Sequence, residues 1–386
     1  MRYWSVFLLL VVMSFNLMAQ TRLSNEASIS LLTCAAGDEL YSVFGHSAIR
    51  VHDPKANLDV VFNYGTFDFD TPNFYLKFAN GDLNYMLAYG PYNRFLRAYN
   101  YEKRSVWEQK LNLTDDEKQK LFDAIVTNAK PENKFYRYDF LFDNCATRIR
   151  DIIVANVDGE VEYNTSEHEE KTFRDMLHYY DARVPWIRDG LDIILGMKTD
   201  YDASQYDQMF LPDYLMKHLS EAKKVNTGTA LLGPKQTILS FDKEDKAGTL
   251  TPGLLMWLLF FLSMGLVFVE VKRKAPFVVI NRIVLLFSGV VGALIFFLWF
   301  LSRHSVTGEN FNMLWAMPFN LFAAFLASWF YKSKVFKLYL LFLMVCVSIP
   351  LIFGWLIPQH LPYAIYPLCL LFISRYASWY FLLTRS

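Results

Sequence analysis

The sequence predicts an exported α+β domain followed by an all-α bundle of about five transmembrane helices. Three observations carry this expectation. Strand-like segments cluster near the N-terminus and helix-like segments follow them. Long charge-poor runs occupy only the last third of the chain. The first residues read as an export leader. A length of 386 residues accommodates two substantial units, at about 150 residues per domain.

Residues 1–20, MRYWSVFLLLVVMSFNLMAQ, set Arg2 before a short apolar core and small Ala19 at a cleavage point, the pattern of a cleaved signal peptide. Leu17 is a less usual residue two places before Ala19, and an uncleaved anchor is the alternative.

Beyond the leader, SISLLTC (28–34) alternates as a strand does. HSAIRVHD (46–53) and DVVFNYG (59–65) flank a turn over 54–57 and read as a hairpin. LNYMLAYG (83–90) and SVWEQKLNL (105–113) are further strands. Thr114 and Glu117 have capping-box spacing, and the helix they start runs to about Lys130, before Pro131. After an aromatic-rich loop, a second helix begins within DNCATRIRDIIVANV. Asp143 or Asn144 can cap it, and Ile149, Ile152 and Ile153 supply its apolar face. Residues 160–220 read as mostly helical. The expected organisation is a signal peptide (1–20), an extracytoplasmic domain (21–220), a linker (221–252) and a membrane domain (253–386).

Apolar stretches near 253–271, 278–301, 313–330, 338–357 and 362–383 each approach the roughly 20 residues a helix needs to cross about 30 Å of hydrocarbon. Lys272, Arg273 and Lys274 follow the first stretch, Lys332, Lys334 and Lys337 the third, and Arg385 the fifth. All fall on one side, which the positive-inside rule makes cytoplasmic. The expected protein is multi-pass in the cytoplasmic (inner) membrane, with its N-terminal domain facing the periplasm or the cell exterior.

Lys plus Arg and Asp plus Glu both number 38, so no net charge draws the chain to nucleic acid, and no basic run is interleaved with aromatics. Cys34, Cys145, Cys346 and Cys369 are too few and too scattered for a disulfide framework, and no Cys/His spacing suggests a structural zinc site. No metal or cofactor is expected.

A cysteine that matters would therefore act alone. In the first turn of a helix, backbone N–H groups and the dipole favour the thiolate, which places Cys145 like a nucleophile. His46, at a strand start directly after Gly45, is the best candidate base. Pairing across the 54–57 turn brings the neighbourhood of Asn63 and Tyr64 opposite His46, and the Asn63 amide oxygen could fix the imidazole tautomer. Each of the three also has a plain reading: a small core hydrophobe, a structural histidine, a strand polar residue. Cys34 reads as core, and Cys346 and Cys369 as packing within spans.

Together these residues resemble the circularly permuted papain- and NlpC-like thiol fold, to which lecithin retinol acyltransferase belongs, because the His46 strand precedes Cys145 by about a hundred residues. The sequence more closely resembles the Lnb-type periplasmic domain family, through LLTCAAGDELYSVFGHSAIRV, FNYGTFDF, FLFDNCATRIRD and DIILGMKTDYDASQYDQMFLPDYL in that order, covering most of 28–216. HSVTGENFNMLWAMPFNLF (304–322) resembles the membrane part of related anchored chains.

This resemblance implies a lipoprotein acyltransferase, which moves an acyl chain from a diacylglyceryl or phospholipid ester to the N-terminal amine of a lipoprotein. By carry-over Cys145 is the nucleophile, His46 the base and Asn63 the third residue, with Tyr64 and Asp68 as substitutes. The Cys145 backbone N–H and the Asn144 side chain are candidate oxyanion donors. The implied partners are a membrane lipid or lipoprotein substrate and the bilayer. Two alternatives keep the same residues: a membrane-tethered cysteine peptidase or amidase acting on cell-wall peptides, and a lipid-ester hydrolase. His304, Asn310, Asn312 and Asn320 could line a headgroup cavity or form interhelical hydrogen bonds. Residues 185–215 could rest on the bilayer, cover the site or form a core helix pair.

Overall fold

The computed structural model describes residues 22–39, 41–164, 170–242 and 250–385; the expected signal peptide lies outside them. The chain divides into two units, Met1–Lys171 with Asp202–Glu244, and Thr172–Tyr201 with Asp245–Ser386.

The first unit is built on an antiparallel sheet. β1 (Ser28–Cys34) pairs with β2 (His46–Asp53), which pairs with β3 (Leu58–Thr66), the expected hairpin. α1 (Phe74–Asn80) leads to β4 (Asn84–Pro91), and α2 (Tyr92–Tyr101) leads to β5 (Val106–Lys110). α3 (Asp115–Asn128) starts at the expected capping box: Thr114 Oγ1 accepts the Glu117 N–H at 3.2 Å, and Glu117 Oε2 accepts the Thr114 N–H at 2.7 Å. β6 (Phe135–Arg137), α4 (Cys145–Ala155) and β7 (Val161–Glu162) follow. The chain then passes into the second unit as α5 (Phe173–Asp181) and α6 (Pro185–Ile194), and returns as α7 (Gln205–Gln208), α8 (Pro212–Glu221), β8 (Lys223–Lys224) and β9 (Gln236–Leu239).

The seven-stranded sheet has the order β6-β4-β3-β2-β1-β5-β9, and β7 pairs with β8 separately. Two features differ from expectation. Residues 221–252 were expected to link the domains, yet β9 extends the sheet edge beside β5 and the buried Lys224 of β8 reaches Glu117 at 2.6 Å. Helices α1 and α2 were not expected; α1 has no side-chain cap, and neither carries an acid in its first turn, so the usual start signals are missing.

Period-2 alternation divides the strand side chains between two cores. Ile29, Leu31, Ile49, Val51, Phe62 and Tyr64 pack with Leu121, Phe122 and Ile125 of α3, Ile149 and Ile153 of α4, and Leu215 and Leu219 of α8. On the opposite face Leu32, Ala48 and Val61 pack with Tyr92 and Phe95 of α2. Burial on both faces is what fixes register, because a one-residue slip would exchange the two sets.

Among the described residues of the second unit, four helices are long and apolar enough to cross a membrane: α9 (Pro252–Arg273), α10 (Val278–Phe300), the helix from Lys334 to Leu356, whose α-helical part is named α12 below, and the one from Ile365 to Arg385. About five were expected. The stretch 313–330 is instead broken into a 3-10 turn, Phe311–Leu314, and an 11-residue helix, α11 (Asn320–Phe330). Pro318 has no N–H to give a continuous helix, and α11 alone covers only about 16 Å at 1.5 Å per residue. The broken segment runs antiparallel along α10: Ala316 lies against Gly292, Asn320 Nδ2 donates to Ser288 Oγ at 2.7 Å, and the Ala324 carbonyl accepts from Arg282 Nε at 2.7 Å. α12 (Lys334–Phe353) and α13 (Ile365–Arg385) complete the unit.

Irregular buried backbone needs protein partners for its polar groups. Buried amide side chains supply them here. Asn310 Nδ2 donates to the Ile193 carbonyl at 2.8 Å, Asn312 Nδ2 to the Asp192 carbonyl at 3.0 Å, and Gln359 Nε2 to the Leu195 carbonyl at 3.0 Å, while Gln359 Oε1 accepts the Phe311 N–H at 2.6 Å. Asn310, Asn312 and Asn320 are therefore spent on hydrogen bonds within the unit rather than lining a cavity.

Candidate functional site

Asn144 caps α4 and so places Cys145 at the first helical position. Its Oδ1 accepts the N–H groups of Ala146 at 2.8 Å and Thr147 at 3.0 Å, and Thr147 Oγ1 accepts the Asn144 N–H at 2.8 Å. Its Nδ2 donates to the carbonyls of Phe140 at 2.8 Å and Phe210 at 3.0 Å. Both ends of the amide are thus occupied. The expectation that Asn144 could donate to an oxyanion is not met, because the cap consumes the oxygen and two carbonyls consume the nitrogen.

His46 opens β2 opposite Cys34. The turn before it requires Gly45, which has φ +79°; a Cβ there would stand 2.8 Å from the Cys34 carbonyl oxygen. The β2–β3 register pairs Ile49 with Phe62. One further step sets Asn63 opposite Ala48, diagonal to His46 on the same face. His46 Nε2 lies 3.2 Å from Asn63 Oδ1. An amide oxygen can only accept, so Nε2 carries the hydrogen and the basic lone pair falls on Nδ1.

The other two candidates for the third position are placed elsewhere. Tyr64 points into the core, 1% exposed, and its hydroxyl accepts from Asn128 Nδ2 at 2.9 Å. Asp68 lies in an exposed turn, where its Oδ1 accepts the Asp70 N–H at 2.9 Å.

β3 and Cys145 meet at a bulge. The β3–β4 register slips between Asn63 and Thr66, at Gly65 with φ +84°, and a Cβ on Gly65 would touch the Cys145 Cβ at 3.5 Å. The backbone N–H groups of Ser47, Ala146 and Cys145 itself act on the Cys145 thiol in the lowering direction. Ser47 follows His46 directly, and α4 packs on β2, the strand that carries the imidazole. A direct Cys145–His46 hydrogen bond is absent among the described residues.

The helix N-terminus does not lower the Cys145 thiol as its position led us to expect. Burial raises it above the ordinary thiol value, and the three N–H donors offset only part of that cost. Burial also lowers His46 to about 4, opposed by Asn63 and reinforced by the charge of Arg104. Near neutral pH the pair is a neutral thiol and a neutral imidazole. Cys34, fully buried and bonded to Tyr99, is pushed up to about 12, in keeping with a core residue.

An aromatic ladder leads from this site to the surface. Tyr138, which a Gly65 Cβ would meet at 3.7 Å, stacks on Tyr85 with centroids 4.3 Å apart. Tyr85 meets Phe67 at 5.3 Å, and Phe67 meets Phe69 at 4.9 Å. Phe69, Tyr75 and Leu76 at its outer end are 62%, 80% and 73% exposed. The sequence showed these aromatics only as scattered residues, because their contact depends on strand pairing and on the unexpected α1.

Residues 17–179 match the family model of the Lnb N-terminal periplasmic domain, and residues 243–386 match that of the Lnb transmembrane domain. The chain belongs to the Lnb-type family. No curated protein and no solved structure matches it. Lnb membership suggests a lipoprotein-processing membrane enzyme, with a periplasmic N-terminal region and a multi-pass membrane region. In this Lnb-type chain His46, Asn63, Gly65, Ser47 and Cys145 all fall within the matched periplasmic region.

Proposed function

We propose that this Lnb-type protein is a cysteine-dependent acyltransferase of the permuted papain-like kind. It moves an acyl chain from the diacylglyceryl group of a lipoprotein, or from a phospholipid, to a lipoprotein N-terminal amine. The observation that supports this reading most is the packing of α4, which carries Cys145 at its capped start, against β2 and β3, which carry the hydrogen-bonded His46–Asn63 pair.

In this reading His46 Nδ1 takes the thiol proton as the Cys145 sulfur attacks the ester carbonyl. The C–O bond breaks, the alkoxide leaves with the proton from His46, and an acyl thioester remains on Cys145. The amine then attacks the thioester carbonyl and passes a proton to His46 as the C–S bond breaks. The Cys145 backbone N–H is the candidate oxyanion donor. The imidazole stays oriented because Nε2–H is held by Asn63.

The aromatic ladder favours a lipid substrate over a cell-wall peptide. An acyl chain can lie on the exposed Phe69 and Tyr75 at the outer end of the ladder and gain roughly 0.8 kcal/mol per buried CH₂, which a polar peptide cannot. Membrane tethering keeps the thiol at the interface where such esters are found.

The test is Cys145→Ala in the full-length chain, with mass spectrometry of lipoprotein N-terminal peptides. N-acylated termini are expected to disappear while the variant accumulates at normal levels. Unchanged lipoproteins with altered cell-wall fragments would establish the peptidase reading instead. Fatty acid release without amine acylation would establish the lipid-ester hydrolase.

A further inference from the structure

Within the second unit, α5, α6 and the turn preceding α13 bring two imidazoles and a carboxylate together. His178 Nε2 lies 2.9 Å from Asp192 Oδ1 and 3.1 Å from Asp192 Oδ2, and His360 Nε2 lies 3.9 Å from Asp192 Oδ2. One ligand atom from each of the three falls within 4.8 Å of the others. The two imidazole rings meet edge to face, with centroids 5.1 Å apart. Around a tetrahedral ion with ligands at about 2.0–2.1 Å, neighbouring donor atoms stand roughly 3.3 Å apart, so modest adjustment brings all three onto one centre.

We propose that His178, Asp192 and His360 form a divalent-cation site. Two imidazole nitrogens and one carboxylate are the ligand set of zinc with an open fourth position. The surroundings divide the Asp192 carboxylate accordingly. Arg174 Nη1 holds Oδ1 at 2.7 Å, leaving Oδ2 as the oxygen that faces both imidazoles. Arg174 also holds Asp200 at 2.9 Å, so one guanidinium serves two carboxylates, in the manner of the outer groups that orient metal ligands.

A second, buried carboxylate lies close to the cluster. Asp181 is 0% exposed, and neither of its carboxylate oxygens has a hydrogen-bond partner among the described residues. It lies one helical turn beyond His178 on α5, and its charge acts on both His178 and Asp192. Burial pushes the Asp181 carboxyl up to about 7, so either the neutral acid or nearby positive charge relieves the cost of burying it without a hydrogen bond. Arg188 is already paired with Asp189 at 3.2 Å. A divalent ion between His178, Asp192 and His360 supplies that charge and ties α5 and α6 to the turn around Gln359. The site's chemistry is independent of the Cys145 reading.

The test uses the full-length protein in detergent, purified without a histidine tag. Elemental analysis is expected to find about one zinc per chain, and His52→Ala, a substitution in the first unit, is expected to retain it. Single substitutions His178→Asn and His360→Asn are expected to weaken zinc binding at least 10-fold. Chelation is expected to lower the Tm, with zinc restoring it. Should the variants misfold, cobalt added to the chelator-stripped wild-type chain decides the matter, since a tetrahedral site gives intense visible absorption. A wild-type chain that holds no metal and shows neither cobalt bands nor a Tm shift with zinc overturns the proposal in favour of a simple His178–Asp192 ion pair. Undiminished zinc binding in the folded variants overturns it as well.

Discussion

His46 Nε2 and Asn63 Oδ1 stand 3.2 Å apart on adjacent strands, and that single hydrogen bond decides which imidazole nitrogen is basic. Asn63→Ala is expected to release the tautomer and lower kcat. The loss should be smaller than the roughly 10²–10⁴-fold that a general base itself supplies. Asn63→Asp keeps an acceptor and is expected to retain more activity than Asn63→Ala. Steady-state acyl transfer by both variants checks the order, and equal rates for wild type and Asn63→Ala would remove Asn63 from the site.

Titration offers a second check. The Cys145 thiol is raised and His46 is lowered to about 4, so the resting pair is uncharged near pH 7. Alkylation of Cys145 by iodoacetamide is expected to climb steadily from pH 7 to beyond about 8.5, an ordinary thiol value. A rate plateau between pH 5 and 7 would show a thiolate–imidazolium pair and contradict the structure.

The same shift has a consequence for stability. Because the folded pKa of His46 lies below its ordinary 6.5, the unfolded chain binds this proton more readily between 6.5 and about 4. His46 therefore contributes stability above pH 6.5 that is lost as pH falls toward 4. His46→Gln is expected to flatten the pH dependence of unfolding across that window.

Asn144→Ala removes the cap of α4 and two side-chain bonds to carbonyls. Loss of the cap alone costs about 0.5–2 kcal/mol, and two buried carbonyls left without their donor add to it. Asn144→Asp keeps the cap oxygen and is expected to lose less. Denaturant unfolding of both variants ranks them.

Gly45→Ala is expected to destabilise the β1–β2 connection by about 1–3 kcal/mol, since the residue is held at φ +79° and its Cβ would collide with the Cys34 carbonyl. A loss of His46-dependent activity in protein that remains folded would mark the displacement of β2, and an unchanged Tm would contradict the strain.

The local code was legible wherever a residue acts on its near neighbours. Alternation marked β1, β2 and β3, the Thr114–Glu117 spacing marked α3, and the Asn144–Cys145 junction marked α4, because caps and pleats depend on residues a few positions apart. Charge-poor runs likewise marked the membrane region.

What the sequence could not settle depends on distance in space. Cys145 carried helix-terminal signals that favour a thiolate, yet only the fold reveals the burial that reverses the direction of its titration. The run 313–330 has the composition of a span, yet Pro318 and its close approach to α10 interrupt the helix. His178, Asp192 and His360 have no spacing that a motif could register, since they converge only when α5, α6 and a turn far along the chain pack together. Sequence by itself determined β1 to β3, the capped helices α3 and α4, the membrane region and the candidates His46, Asn63 and Cys145. Tertiary structure decided which side chains meet and which charges are buried, because burial and convergence arise from packing between residues remote in the chain.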